Sequence, residues 1–383
     1  MNKNASRASN FELLRIIAML MIISYHIIIH CVNVQLVNAD SIERWQNGWF
    51  NQPMVFRQLL GVSLLMPFGL VGNALFVMIS GYFLAEKEID IFKTSKKLLM
   101  QLLFAAIVLV IASTHFINSG KYLLHTNTLF SYIRIQYFNK MSWFVGYYFI
   151  IIFIAYLGLN KLLASLDNKK YLSLMLAILT LSQLGWSGSL LDDLAGGLRT
   201  VVVGIFLFAL GGYIKRFNPF DKVRGYVFVV VIILTNILIG LSYYNTTNGK
   251  IQAYYYSITD TTVEPADFIQ YMPKYENYSI VVIVLGICMF ELFRRIPMPS
   301  VKLINWLAAP TFMIYLLHDN GFSYSIWETQ DWITLLYNDF SGFAVKLFTW
   351  AVAIFAFGLV AYYIYVLLVM AIVKCKWLFV KSK

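Results

Sequence analysis

The chain has 383 residues, 60% of them hydrophobic and 13% charged, with a formal net charge of +11. A soluble domain of this length has more surface than so few charges cover, since ordinary usage is about 25% charged. Runs of roughly 20 apolar residues, the length that crosses a bilayer core, recur along it, and the mean hydropathy is +0.69. The fold class is therefore an all-α polytopic membrane protein. The positive charge needs no nucleic acid, because cytoplasmic anchoring against anionic headgroups accounts for it. Cys31, Cys288 and Cys375 are odd in number and scattered, which suggests neither a disulfide framework nor a metal site. No Gly-rich phosphate loop, zinc spacing or G-x-S-x-G elbow is present.

In chain order, apolar runs predict about ten spans. They are Phe11–Val37, Val62–Leu84, Leu98–Ile117, Ser142–Leu163 and Tyr171–Trp186, then Thr200–Ile214, Tyr226–Tyr243, Ser279–Phe293, Leu303–His318 and Gly342–Val373. The first has too long an apolar part for a cleavable signal peptide, and no small-x-small site follows it. The longest segment between spans, Asn245–Tyr278, is rich in Tyr, Thr and Asn. With no repeats and no low-complexity linkers, the expectation is one membrane domain over residues 1–383, its helical core at 11–373, with no appended soluble domain.

Charge orients the spans. With the N-terminus inside, the segments Met1–Arg15, Glu86–Lys97, Lys161–Lys170, Lys215–Arg224, Arg294–Lys302 and Lys374–Lys383 face the cytoplasm. They hold 21 of the 30 Lys and Arg residues, while 12 of the 19 acidic residues fall on the other side. The positive-inside rule then puts both termini in the cytoplasm.

The first span, LLRIIAMLMIISYHIIIHC over Leu13–Cys31, carries three basic side chains. Arg15 and His26 are 11 residues apart, which is three helical turns plus about 20°, so they share a face and stand roughly 16 Å apart along the axis. His30 lies one turn beyond His26, and Glu12 just under one turn before Arg15. Ionisable groups at such depth are costly and face a protein interior or a wet cavity, so the polar stripe reads as a functional site. Bland accounts exist for its ends. Arg15 is within snorkelling reach of the headgroups, and His30 sits towards the outer interface. His26 is too deep to snorkel, and imidazole suits proton transfer because its ordinary pKa is near neutrality.

Arg-x10-His in a first transmembrane helix resembles the signature of the acyltransferase 3 family of membrane acyltransferases. LFVMISGYFL (Leu75–Leu84) resembles that family's phenylalanine-rich run ending in Ser-Gly-Tyr/Phe. Met141–Leu163 resembles its span opening on Trp-Phe, and TFMIYLLH (Thr311–His318) its near-terminal span ending in Tyr-Leu-x-His. The resemblance covers nearly the whole chain and keeps the order of the landmarks. It implies transfer of an acyl group, commonly acetyl from acetyl-CoA, to a hydroxyl of a cell-envelope polysaccharide or its lipid-linked precursor, in the cytoplasmic membrane. His26 matches the family's catalytic histidine and Arg15 its essential arginine, which serves the donor. Two departures stand out: the chain has no Arg-x-x-Arg pair, and no serine-esterase-like domain is fused to it.

The chemistry the resemblance implies is coherent. Neutral His26 takes the hydroxyl proton as the oxygen attacks a thioester, or carries the acyl group itself. Arg15 offers a donor fork suited to phosphate. Supporting candidates are Glu12, His30 and His318, together with Asn73, Ser80, Tyr82 and Trp143 as donors to the developing oxyanion. Each of the last four also has a packing or interfacial account. Trp45, Trp49 and Tyr254–Tyr256 are outer aromatics that either stack sugar rings or lie at the lipid interface. His115 and His125 are assigned no role. The expected partners are acyl-CoA as donor substrate, a carbohydrate acceptor, the lipid bilayer and polysaccharide-assembly proteins, with no permanently bound cofactor, metal or nucleic acid. The alternative is a transporter or exporter of a glycan or lipid-linked sugar. Against it, the chain shows no duplicated halves of the kind transporters carry.

Overall fold

The computed structural model describes residues 8–37, 53–115, 143–184, 192–257 and 275–381, and every regular element among them is helical. Helix α1 (Ser9–Ile27) passes through a π-helical turn (Ile28–Val32) into α2 (Asn33–Val37). There follow α3 (Pro53–Leu84), α4 (Ile91–His115), and α5 (Trp143–Ile154), which continues through a second π-turn (Ala155–Leu159) into α6 (Asn160–Ser165). Next come α7 (Asn168–Gln183), α8 (Asp192–Phe217), α9 (Gly225–Ser257) and α10 (Ile280–Arg294). Four short helices, α11 (Lys302–Ala308), α12 (Thr311–His318), α13 (Gly321–Glu328) and α14 (Trp332–Asn338), lead into the long α15 (Phe340–Lys381). Trp45, Trp49 and His125 lie outside the described residues.

Among the described residues, seven helical stretches are long and apolar enough to cross a membrane, and each overlaps one of the ten expected spans. The other three expected spans correspond to shorter pieces. Helix α7 has 16 residues and α10 has 15. The Leu303–His318 span is broken into α11 and α12 at Pro310, a residue with no N–H to donate within a helix. Two of the pieces, α10 and α12, read as spans in the sequence because hydropathy registers burial in protein and in lipid alike, whereas α7 keeps Leu172, Leu176 and Leu181 exposed. Val282, Leu285 and Phe290 of α10 and Ile314 and Leu317 of α12 are fully buried inside the protein.

Helices α1, α3 and α8 form the centre of the bundle, and small residues let them approach. A Cβ on Gly72 would meet the carbonyl of Ala18, and one on Gly81 would overlap the backbone of Phe208; glycine at such crossings permits close helix packing in membranes. The outer faces of α4, α9 and α15 are instead apolar and exposed, through Leu103, Ile107, Leu234, Leu238 and Leu367. Such surface suits lipid rather than water.

Polar contacts knit the two ends of the bundle. At one end Ser9 Oγ donates to Asn305 Oδ1 (2.9 Å), Asn10 Nδ2 to the Phe293 carbonyl (3.1 Å), and Asn160 Nδ2 to the carbonyls of Leu84 and Lys87 (2.8 Å each). This end carries Lys87, Lys93, Lys97, Lys161, Lys170, Arg216 and Arg294, and is called the basic end below. At the opposite end Gln35 Nε2 donates to the Gln330 carbonyl at 2.7 Å.

The positive-inside rule gives an expected result for orientation. A membrane-impermeant maleimide should label Asn248→Cys in intact cells, whereas native Cys375, which is exposed near the end of α15, should react only after permeabilisation. The reverse pattern would invert the topology.

Candidate active site

Helix α1 lays its polar stripe along the bundle interior. Near the basic end Arg15 Nη1 pairs with Glu12 Oε1 at 2.7 Å, the carboxylate being almost wholly buried. At the far end of α1, His26 is buried and its Nδ1 lies 2.9 Å from Nε2 of His318. The two rings are nearly parallel, 9° apart, with centroids at 4.9 Å.

The break at Pro310 makes α12 a short helix that ends on His318 in the protein interior. Asn320 caps the next helix by accepting from Ser323 N–H (3.0 Å), and its Nδ2 donates to the Leu317 carbonyl (2.7 Å). His318, Asp319 and Asn320 are all buried at this junction, where hydrogen bonds satisfy the chain ends. Asp319 Oδ1 lies 3.5 Å from His26 Nδ1 and accepts a hydrogen bond from the Tyr324 hydroxyl. The Tyr324 ring in turn stacks on His30 at 4.2 Å.

These contacts assign protons. His318 Nδ1 is 2.7 Å from the Tyr315 carbonyl, and a carbonyl only accepts, so that nitrogen carries the hydrogen. In neutral His318, Nε2 is then the acceptor, and His26 Nδ1 donates to it. The remaining lone pair of neutral His26 is on Nε2, which is the position of a proton acceptor. Asp319 Oδ1 faces the same His26 Nδ1 at 3.5 Å, on the side away from the free Nε2 lone pair.

A cavity of about 510 Å³ opens between α1, α3, α4, α5 and α12. Its wall carries Arg15, Lys93 and Lys97, with Glu12, Ser80, Gln101, Tyr148 and Tyr315. Ser80 Oγ and the Tyr148 hydroxyl lie 3.1 Å apart. Gln101 is buried, and its Oε1 has no hydrogen-bond partner among the described residues. Tyr315 lines this cavity and also meets His318 edge-on, with centroids 5.4 Å apart. The basic cavity and the imidazole pair are thus separated by the depth of one tyrosine ring.

The structure brings Glu12, Arg15 and Ser80 together on the cavity wall, and His26, His30 and His318 at its far side. Tyr82 packs elsewhere, on Phe11 (4.8 Å) and Phe290 (5.8 Å). Trp143 packs on Phe144 and Tyr147, off this cavity. Asn73 is buried with its Oδ1 unpartnered and does not line the cavity either. The run Ser80-Gly81-Tyr82 therefore serves three neighbours in succession: the cavity, the α8 backbone and the aromatic cluster around Phe11.

Sequence reading passed over Lys93, Lys97 and Gln101, whose spacing of four places them on one face of α4. Asp319 stands beside His318 in the sequence, but nothing there links it to His26. Tyr148 and Tyr324 carried no signal among so many aromatics.

A helical bundle of this kind, with several membrane-crossing helices and buried ionisable groups facing an internal cavity, is a multi-pass membrane protein with an interior site. A family model described as an acyltransferase domain, acyltransferase 3, matches residues 9–370. The chain belongs to that family of membrane acyltransferases. No curated protein and no solved structure matches it.

Proposed function

We propose that the protein moves an acyl group, acetyl as the first choice, from acyl-CoA to a hydroxyl of a cell-envelope carbohydrate at the cytoplasmic membrane. The observation that carries this reading is the hydrogen-bonded pair His26–His318 at 2.9 Å, set beyond a cavity walled by Arg15, Lys93 and Lys97.

The cavity mouth suits the CoA phosphates, because guanidinium and ammonium groups bind phosphate through charge-assisted hydrogen bonds. Glu12 fixes the Arg15 fork at 2.7 Å. The long thiol arm of the donor then follows the stripe past Met19 and Phe76, which line the same cavity, towards the imidazole pair. His26 Nε2 takes the proton of the acceptor hydroxyl as its oxygen attacks the thioester carbonyl carbon. The C–S bond breaks, and the CoA thiolate leaves and recovers the proton from His26. His318 and Asp319 position and stabilise the imidazolium in the interval. Of the donors considered for the tetrahedral oxyanion, Ser80 stands on the cavity wall, hydrogen-bonded to Tyr148, where preorganised hydroxyls act most strongly.

Mass spectrometry of envelope glycans from cells with and without the gene tests the reading. The expected difference is the loss of acyl mass from an otherwise unchanged polymer, alongside transfer of label from radioactive acetyl-CoA by the purified protein. A change in polymer amount with acyl content intact would instead mark an exporter.

A further inference from the structure

Beyond the basic cavity lies a second feature that the catalytic reading does not use. An apolar groove of about 610 Å³ runs between α4 and α5. At one end it shares Leu98 with the basic cavity, and at the other it shares Trp143, Tyr147 and Ile150 with a pocket of about 460 Å³. That pocket is different in kind. Thr200, Glu276, Asn277 and Tyr278 give it hydroxyl, carboxylate and amide groups. It lies at the end of the bundle remote from the lysines, where α5 and α8 begin and α10 is entered.

The pocket is built rather than incidental. The Arg199 guanidinium sits 3.9 Å over the Tyr278 ring, and Gln183 Nε2 holds the Tyr278 carbonyl at 2.8 Å. The Glu276 N–H is fixed by Ser279 Oγ at 2.8 Å. Trp143 of this pocket packs on Phe144 at 5.8 Å, Phe144 on Tyr315 at 5.2 Å, and Tyr315 edge-on to His318 at 5.4 Å. A polar, aromatic-edged pocket is therefore joined to the imidazole pair through a chain of packed rings, and it shares one wall with the apolar groove.

One position on the groove wall carries no side chain. Gly146 lines the groove, and among the described residues a Cβ there would meet nothing within 4 Å. Its other wall, α4, keeps Leu99 exposed. An apolar cleft joined to a hydrogen-bonding pocket matches an amphiphile with a long hydrocarbon chain and a hydroxyl-rich head, because a fitted cleft gives the chain dispersion contacts and sugars are held by paired polar and aromatic side chains.

We infer that the acceptor is lipid-linked and enters sideways from the bilayer, its hydrocarbon chain lying in the α4–α5 groove and its sugar head in the Thr200–Glu276–Tyr278 pocket. This rests on the acyl-transfer reading, whose acceptor it specifies. The head-group end is favoured over a long donor acyl chain because the groove shares three residues with the polar pocket and one with the basic cavity.

The test uses the full chain in nanodiscs and octadecyl β-glucoside with a diazirine in mid-chain as the probe. Photolysis should label α4 and α5 around Leu99, Leu102 and Phe149. Gly146→Trp should reduce that labelling about tenfold relative to Gly146→Ala, as expected for overfilling a fitted space. Leu99→Trp, on the facing exposed wall, should do the same, while acetyl-CoA binding by titration calorimetry stays within about twofold. Equal labelling by an octadecyl diazirine without the sugar would overturn the proposal, leaving the groove an ordinary lipid face. Competition by palmitoyl-CoA but not by unlabelled octadecyl glucoside would overturn it in favour of a donor chain. Specific glucoside labelling in a protein that binds no acetyl-CoA would support the groove and refute the acyl-transfer reading.

Discussion

Replacing His26 by alanine should lower acyl transfer by about 10²–10⁴-fold, the range a positioned general base supplies. Its ring is buried, and its one identified partner nitrogen is on His318, so the variant removes a proton acceptor and leaves the remaining imidazole without its donor. The readout is transfer of label from acetyl-CoA to acceptor by purified protein of unchanged elution profile. His318→Ala should reduce the rate less and leave acetyl-CoA affinity intact, since it acts through His26. The double variant should be no worse than His26→Ala alone, because groups that act as a unit are not additive. More than a few per cent of wild-type transfer in His26→Ala would end the catalytic assignment.

Arg15 offers the second large effect. Its side chain lines the cavity and is braced by Glu12 at 2.7 Å. Losing a charge-assisted hydrogen bond to phosphate should weaken acetyl-CoA binding in Arg15→Ala by about 10–150-fold, and Glu12 is then left facing the donor without its cation. Arg15→Lys should fall between, keeping the charge but not the fork. A short acetyl thioester lacking the nucleotide should show no such loss, which would place the contact at the phosphates. Equal acetyl-CoA affinity in wild type, Lys and Ala would reduce Arg15 to an anchor that reaches the headgroups.

The helical period alone put Glu12, Arg15 and His26 on one face, and the structure keeps them there because α1 is regular from Ser9 to Ile27. The pairing of His26 with His318 was out of reach. It joins positions 292 apart in the chain and depends on α12 starting after Pro310 and stopping inside the protein at His318, where the chain turns through Asp319 into the helix that Asn320 caps. Lys93 and Lys97 were counted as topology signals, and that account hid their shared face with Gln101. Hydropathy finds α10 and α12 but does not tell a length of helix in lipid from burial in protein. Asn73, Tyr82 and Trp143 show the same ambiguity at single residues, since a polar or aromatic side chain in an apolar run looks alike whether it faces a cavity or a neighbouring helix.

The π-turn at Ile28–Val32 was invisible, because nothing in Ile-Ile-His-Cys-Val announces one. It inserts about one residue into the helical repeat and so advances everything beyond it by about 100°. The first helix therefore runs in two phases. The phase up to Ile27 is set by the basic end, where Ser9 and Asn10 clasp Asn305 and Phe293, and it aims Arg15 and His26. The phase after Val32 is set by Gln35, which holds the Glu328 and Gln330 carbonyls and accepts from the Trp332 N–H. The extra residue works as a vernier between them. The loops and short helices at the opposite end can be redrawn over evolutionary time, and the phase of Gln35 with them, while the direction in which His26 points stays where the basic end put it.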